Sequence, residues 1–309
     1  MTNSRHSKYV IFVIASVIAL LTSCANLSSL KTKNSENFSF IVFADTRESA
    51  APEFRTSQYF QGACEAILNV GKGAFIISPG DTDPPQFVHE VIRDVLGNDY
   101  PWYPAIGNHE AETEEDMIWL RNYGKSLPNI SRKGPSNSKE TTYAFNHGNA
   151  HFVVLNEYYD GLSDTGTKHN VADSLYHWLK NDLEHNKKSL VFVFGHAPLL
   201  ALPDIDTGRH RHLHDSLNAY PENNHRFQKL LRDYQITAYF CGHTHGASYA
   251  FLNGVWQIDV GHARGIMDTG TPSTFFKIDI SGLIATVKMY RDDMKGGPYK
   301  LSHKIILEN

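Results

Sequence analysis

Ile236-Thr237-Ala238-Tyr239-Phe240-Cys241-Gly242-His243-Thr244-His245-Gly246 sets two histidines, at i and i+2, directly behind an apolar run. The run reads as a buried strand. Past its end, the flanking glycines allow a turn that aims both rings at one point. Taken alone, a His-x-His pair is either a metal site or an accident. The chain repeats the arrangement four more times. Phe38 to Ala44 ends at Asp45-Thr46-Arg47, and 74–78 ends at Pro79-Gly80-Asp81-Thr82-Asp83. Trp102 to Ile106 ends at Gly107-Asn108-His109-Glu110, and Leu190 to Phe194 ends at Gly195-His196-Ala197-Pro198. In an α/β sheet, ligands bind in the crevice beyond the carboxyl ends of the strands. Clusters scattered in sequence converge in space in such a fold.

The chain has 309 residues, 41% hydrophobic and 12% aromatic, enough to bury a sizeable core in one large α/β domain. A formal net charge of -4 gives no general pull toward nucleic acid or anionic membrane, and no specific nucleic-acid binding is expected. Seventeen histidines favour a metal reading.

The first strand is nearly all apolar, as when both faces are covered. A helix is expected from about Thr56 to Val70, stopped by Gly71 and Gly73. Pro84-Pro85 opens another, with Val88, Val91, Ile92, Val95 and Leu96 on one face. Thr113 to Asp116 resembles a capping box for a third, reaching Tyr123. Residues 125–140 and 160–170 read as polar loops, and 199–221 as a long irregular segment. Strands are expected at 143–145 and 151–155, and helices carry Leu175, Leu179 and Leu183, then Phe227, Leu230 and Leu231. Behind the double histidine, Asn253-Gly254 signals a hairpin, and Ser281-Gly282 turns a second, joining 274–280 to 283–290. The front is thus βαβ and the back antiparallel β.

Arg5 and Lys8 precede an apolar run, Tyr9 to Leu21, which is short for a membrane span of roughly 20 residues. Leu21-Thr22-Ser23-Cys24 follows and resembles a bacterial lipobox. That resemblance implies a signal peptide over 1–23, acylation of Cys24, a Ser/Asn/Lys-rich tether over 24–37 and a folded domain over 38–309. Ala25, rather than Asp, after the cysteine implies outer-membrane sorting, facing the periplasm or the cell surface. The alternatives are an ordinary secretory leader or an uncleaved anchor. Cys64, on an apolar stripe, and Cys241, at a strand end, read as separate core thiols.

The candidate metal ligands are Asp45, Asp81, Asn108, His196, His243 and His245. They offer oxygen and imidazole nitrogen without thiolate, a set suited to Zn, Mn, Fe, Co or Ni. Two ions about 3.5–4 Å apart form a clamp for in-line displacement at phosphorus, and a metal-held water near pKa 7 supplies hydroxide. A histidine that is not a ligand can protonate the leaving oxygen, and His109 is placed for it.

Asp45, Gly80-Asp81, Gly107-Asn108-His109-Glu110, Gly195-His196 and Gly242-His243-Thr244-His245, in that order and spacing, resemble the calcineurin-like metallophosphoesterase superfamily. The resemblance covers roughly residues 38–246. It implies a four-layer α/β/β/α sandwich, with a mixed sheet and antiparallel C-terminal hairpins, and a dinuclear site. It implies that Asp81 bridges, that Asp45 and His245 hold the first metal, and that Asn108, His196 and His243 hold the second. His109 then assists the leaving group.

The first motif departs from the family. Many members have D-x-H where this chain has Asp45-Thr46-Arg47, and arginine has no lone pair to give. Arg47 either pairs with a substrate phosphate oxygen or turns to a carboxylate. The first reading, phosphomonoester hydrolysis, counts Arg47 with His109 as catalytic. The alternatives are a phosphodiesterase of the same fold and a phosphate- or metal-binding surface lipoprotein without turnover. Asp83 reads as a solvated loop carboxylate, alternatively a further ligand, and His210, His212 and His214 as a solvated, partly ordered loop, alternatively lining the phosphate entrance or binding another metal. His262 reads as structural or near the site, and His177 and His185 as surface residues.

Overall fold

The computed structural model describes residues 37–307. The expected leader, Cys24 and all but the last residue of the tether lie outside the described residues. The strands are β1 Phe38–Val42, β2 Ile76–Ser78, β3 Trp102–Pro104, β4 Ile130–Lys133, β5 Tyr143–His147, β6 Ala150–Val154 and β7 Leu190–Phe194. The rest are β8 Ala238–Cys241, β9 Ala247–Leu252, β10 Val255–Val260, β11 Thr274–Ser281, β12 Ile284–Arg291 and β13 Lys300–Leu307. The helices are α1 Phe60–Val70, α2 Pro85–Leu96, α3 Asn108–Glu112, α4 Glu114–Ser126, α5 Asp173–His185 and α6 Pro221–Asp233.

The strands form two mixed sheets, ordered β13-β12-β11-β1-β2-β3 and β4-β5-β6-β7-β8-β10-β9. β1, β2 and β3 are parallel, as are β6, β7, β8 and β10. The period of two explains the layers. Phe40 and Val42 of β1 pack with Phe152, Val154, Phe192, Phe194 and Phe240 of the other sheet. Between them, Ile41 packs with Phe60, Ile67, Val88 and Ile92 of α1 and α2. Val153, Val191 and Val193 pack outward on Leu175 and Leu179 of α5 and Leu231 of α6. The result is helices, sheet, sheet, helices, the expected four layers. Its aromatic centre includes Phe40 and Phe152, edge to face at 5.1 Å. Cys64 and Cys241 are separate buried thiols.

Several details differ from the sequence reading, among them a short helix over 108–112 that it did not expect and a Thr113 whose side chain makes no cap hydrogen bond. α1 starts at Phe60 because 57–59 form a turn against Gly62, where a Cβ would meet the Ser57 carbonyl oxygen at 1.9 Å. α4 runs past Tyr123 and Gly124 to Ser126. Gly124 is kept there by the Glu140 carbonyl, which a Cβ would approach to 2.1 Å. β4 occupies part of the expected polar loop, and β13 adds an edge beyond the second hairpin.

Candidate metal centre

The carboxyl ends of β1, β2, β3, β7 and β8 carry the sequence-predicted residues to one place. Asp45, Asp81, His243 and His245 all have positive φ, 51°, 53°, 73° and 58°. That region is sparsely populated by non-glycine residues and is tolerated where surrounding structure enforces it. Two glycines show why the chain closes so tightly. A Cβ on Gly107 would lie 2.1 Å from Asp81 Oδ1, and one on Gly242 would lie 2.4 Å from Asp45 Oδ2.

His196 Nε2 lies 3.2 Å from Asn108 Oδ1, 3.1 Å from His243 Nδ1 and 3.4 Å from Asp81 Oδ1. These are the separations of neighbouring ligands around one ion with bonds of about 2.0–2.2 Å. His245 Nε2 lies 3.6 Å from Asp45 Oδ1, and Asp45 Oδ2 accepts the His243 backbone N–H at 2.9 Å. All six candidate ligands are thus brought together. Asp45 and His196 are fully buried, and Asp45 Oδ1 makes no hydrogen bond.

Burial pushes both carboxyls well above the ordinary range, with Asp259 adding to it at Asp45 and Asp45 adding to it at Asp81. Burial, reinforced by His243, holds His196 well below the usual imidazole range. Burial also holds His245 at about 3, despite its bond to Asp268. Neutral imidazoles offer lone pairs, and adjacent buried carboxylates persist as anions beside strong positive charge. The donor set therefore fits divalent cations.

The far ring nitrogens are also held. His196 Nδ1 meets the Pro79 carbonyl at 2.8 Å. His245 Nδ1 meets Asp268 Oδ2 at 2.7 Å, and Asp268 is gripped by Arg209 and Arg211. His243 Nε2 lies 3.2 Å from Asp215 Oδ2, and that contact holds Asp215 down to about 2. Such partners fix the tautomer that leaves a lone pair for a metal.

His109 sits on α3 with its backbone N–H donated to Asp81 Oδ1 at 3.1 Å, and its Nε2 lies 3.7 Å from Asp81 Oδ2. Its ring remains partly exposed, and burial with the Arg47 charge holds it at about 4. Arg47 Nε lies 3.7 Å from Asp83 Oδ1, yet neither atom makes a hydrogen bond. The Asp83 side chain is only 14% exposed, so it is largely buried rather than a solvated carboxylate.

The irregular segment 199–221 also folds over the centre. His212 lies tilted beside His243, ring centres 4.2 Å apart, and is partly buried, closer to the reading that this segment lines the entrance than to a fully solvated loop. His210 bonds the Ala201 carbonyl. His262 is buried on the Thr271 carbonyl at 3.0 Å, a structural role, and His177 and His185 are exposed on α5.

Sequence reasoning missed the supports. Glu110, buried, accepts the backbone N–H groups of Asp81 and Gly107 at 3.1 and 2.9 Å and the Thr82 hydroxyl at 2.8 Å. Its signal was its place in the quoted third cluster. Tyr158 and Arg264 follow the ends of β6 and β10, a position that could have flagged them; the Ala263 N–H bonds the Ala44 carbonyl beside Asp45. Asp204, Asp215 and Asp268 carry no such signal.

The family model for calcineurin-like phosphoesterases matches residues 38–247. Tartrate-resistant acid phosphatase type 5 of Rattus norvegicus is 26% identical over 224 residues, 67% of this chain and 63% of that protein. Purple acid phosphatase 23 of Arabidopsis thaliana is 24% identical over 194 residues, 61% of this chain and 38% of that protein. The chain thus spans 38% to 63% of the length of these two relatives. Among solved structures, the purple acid phosphatase PPD1 of yellow lupin aligns with a TM-score of 0.59 at 13% identity, covering 89% of this chain and 54% of that one. GAP50 of Plasmodium aligns with a TM-score of 0.56 at 13% identity, covering 88% and 89%. These two likenesses are of fold.

Proposed function

The chain belongs to the calcineurin-like phosphoesterase family, and from that premise we propose that it is a metal-dependent hydrolase of phosphate monoesters. The observation that carries the reading is the cage around His196 Nε2, with Asn108, His243 and Asp81 donor atoms at 3.1–3.4 Å. Asn108, His196 and His243 would hold one divalent ion and Asp45 and His245 the other, with Asp81 as the ligand they would share. When bound, the ions supply Lewis acidity and activation of water.

The chain's own residues do the rest. Arg47, loosely placed against Asp83, turns its guanidinium to the phosphate, where two parallel N–H groups suit a terminal dianion. His109 Nε2 gives a proton to the leaving oxygen. Held at about 4 by burial and Arg47, this imidazole is a strong acid when protonated, which accords with the acid phosphatases among the chain's relatives. The lipobox resemblance supports a further proposal, that the enzyme is anchored to the outer membrane through an acylated Cys24; the intact mass of protein extracted from membranes tests the acylation, and an unacylated Cys24 overturns it.

p-Nitrophenyl phosphate and its bis ester, assayed with Mn, Co or Zn, test the main reading. Faster cleavage of the monoester is expected. Preference for the bis ester makes the chain a phosphodiesterase of the same fold. Retained ions without turnover of either make it a binding protein.

A further inference from the structure

Beside Asn108 and His243, a cavity of about 240 Å³ opens between the segments that follow β6 and β7; Tyr158, His169, Asp215 and Tyr220 also line it. Two of its wall groups are unpaired. Tyr158 and His169 are 2% and 5% exposed, and neither Tyr158 Oη nor His169 Nε2 makes a hydrogen bond. Neither belongs to the metal cage or to the proton transfer at His109. Leaving a buried polar group unsatisfied costs about 1–3 kcal/mol, and buried polar groups as a rule have partners. Two such atoms in one cavity beside the reaction centre point to a ligand that supplies both.

Their surroundings decide what that ligand must offer. On the other side of the His169 ring, Nδ1 lies 3.6 Å from Asp215 Oδ1, with the Ser216 backbone close by. With its proton turned to those acceptors, Nε2 carries a lone pair and accepts. The Tyr158 phenol keeps its proton and donates. The two rings stand edge to face, 6.2 Å between centres. One donor and one acceptor on a shared wall are the complement of an aliphatic hydroxyl, which accepts once and donates once.

We propose that this cavity holds the alcohol half of the substrate, and that Tyr158 Oη and His169 Nε2 select phosphate monoesters of small polyols or sugars by grasping a second hydroxyl. The inference rests on the phosphoesterase reading above and narrows it to a substrate class. An ester lacking that hydroxyl leaves both wall groups unpaired, the situation in which polar sites discriminate most strongly.

Glycerol 1-phosphate and propyl phosphate are matched probes, given to the full-length, metal-loaded protein. Wild type is expected to favour the glycerol ester by about tenfold or more in kcat/KM. In Tyr158→Phe and in His169→Phe the ratio falls to below about threefold, and His169→Asn, which can still accept, restores part of it. The same ratio read as Kd by calorimetry decides the matter without turnover. A wild-type ratio near one in both readouts overturns the proposal even if a variant fails to fold, and so does a ratio unchanged in both folded Phe variants. Failure of the phosphoesterase reading shows separately, as no phosphate released from either ester.

Discussion

On one side of the centre, His196 Nε2 has three donor atoms of other residues at 3.1–3.4 Å, while on the other His245 Nε2 faces Asp45 Oδ1 at 3.6 Å. The bracing differs as well. The far nitrogen of His196 rests on a neutral backbone carbonyl, Pro79. The far nitrogen of His245 rests on a carboxylate that two arginines grip. Arg47, which has no lone pair to give, follows Asp45 on that side. So one half of the centre is rich in ligands, with His196 held by backbone and His243 by Asp215, and the other has fewer ligands and a histidine whose carboxylate support is itself held by two arginines. An ion should therefore bind more tightly on the His196 side than on the His245 side.

Asp81, proposed above as the shared ligand, should have the largest effect when lost. Asp81→Ala is expected to retain no ion after dialysis and to lose at least about a thousandfold in kcat/KM. Elemental analysis with the p-nitrophenyl phosphate assay checks both. A variant that still keeps an ion locates the pivot elsewhere.

The next test divides the halves. After gentle dialysis, wild type should keep one ion per chain tightly and recover the second only with added metal. His196→Ala should lose the tight ion, whereas His245→Ala should keep it; both should cut turnover by about a hundredfold or more. Two tightly held ions in wild type would break the comparison outright.

That asymmetry also separates what the sequence tells from what it hides. The donor residues are legible because each follows an apolar strand, and parallel strands end at a common rim. Asp45-Thr46-Arg47 even announces which half lacks a ligand. The bracing is silent: Asp204, Asp215 and Asp268 sit in irregular segments with no hydrophobic period, and only the folded chain brings Asp215 and Asp268 to the imidazoles and Asp204 to the backbone behind His245. Edge strands are hidden for a related reason. β4 reads Ile-Ser-Arg-Lys, and β13 exposes Leu301 and Ile306, so neither shows a buried face. Buried β1, β6 and β7, apolar on both faces, are unmistakable.

His109 should separate chemistry from binding in either half. His109→Ala is expected to keep the wild-type metal content and to lose about a hundredfold in kcat, within the usual range for one acid–base group. Because its proton serves the leaving oxygen, the loss should shrink for esters of acidic phenols and grow for alkyl esters. Equal losses across such a series would remove His109 from the proton-transfer step.

The smallest effect on turnover is expected at Asp204, which braces the His245 side without touching a candidate ligand. Its Oδ2 accepts the Ala247 N–H at 2.9 Å, two residues past His245, and Arg291 of β12 pairs with the same carboxylate. Burial raises this carboxyl, but Arg291 and nearby backbone N–H groups more than offset it, so its folded pKa is lowered. A lowered pKa contributes stability above the unfolded value of about 3.9 that is lost as pH falls through the folded value. Asp204→Asn should therefore cost about 3 kcal/mol at pH 7, as for one partner of a buried pair. The gap should narrow below about pH 4, where wild type itself loses the contribution. Urea titrations of both proteins at the two pH values measure it. If the gap is the same at both, the carboxylate's charge is not what holds the His245 side, and the contrast with backbone-held His196 reduces to ligand number alone.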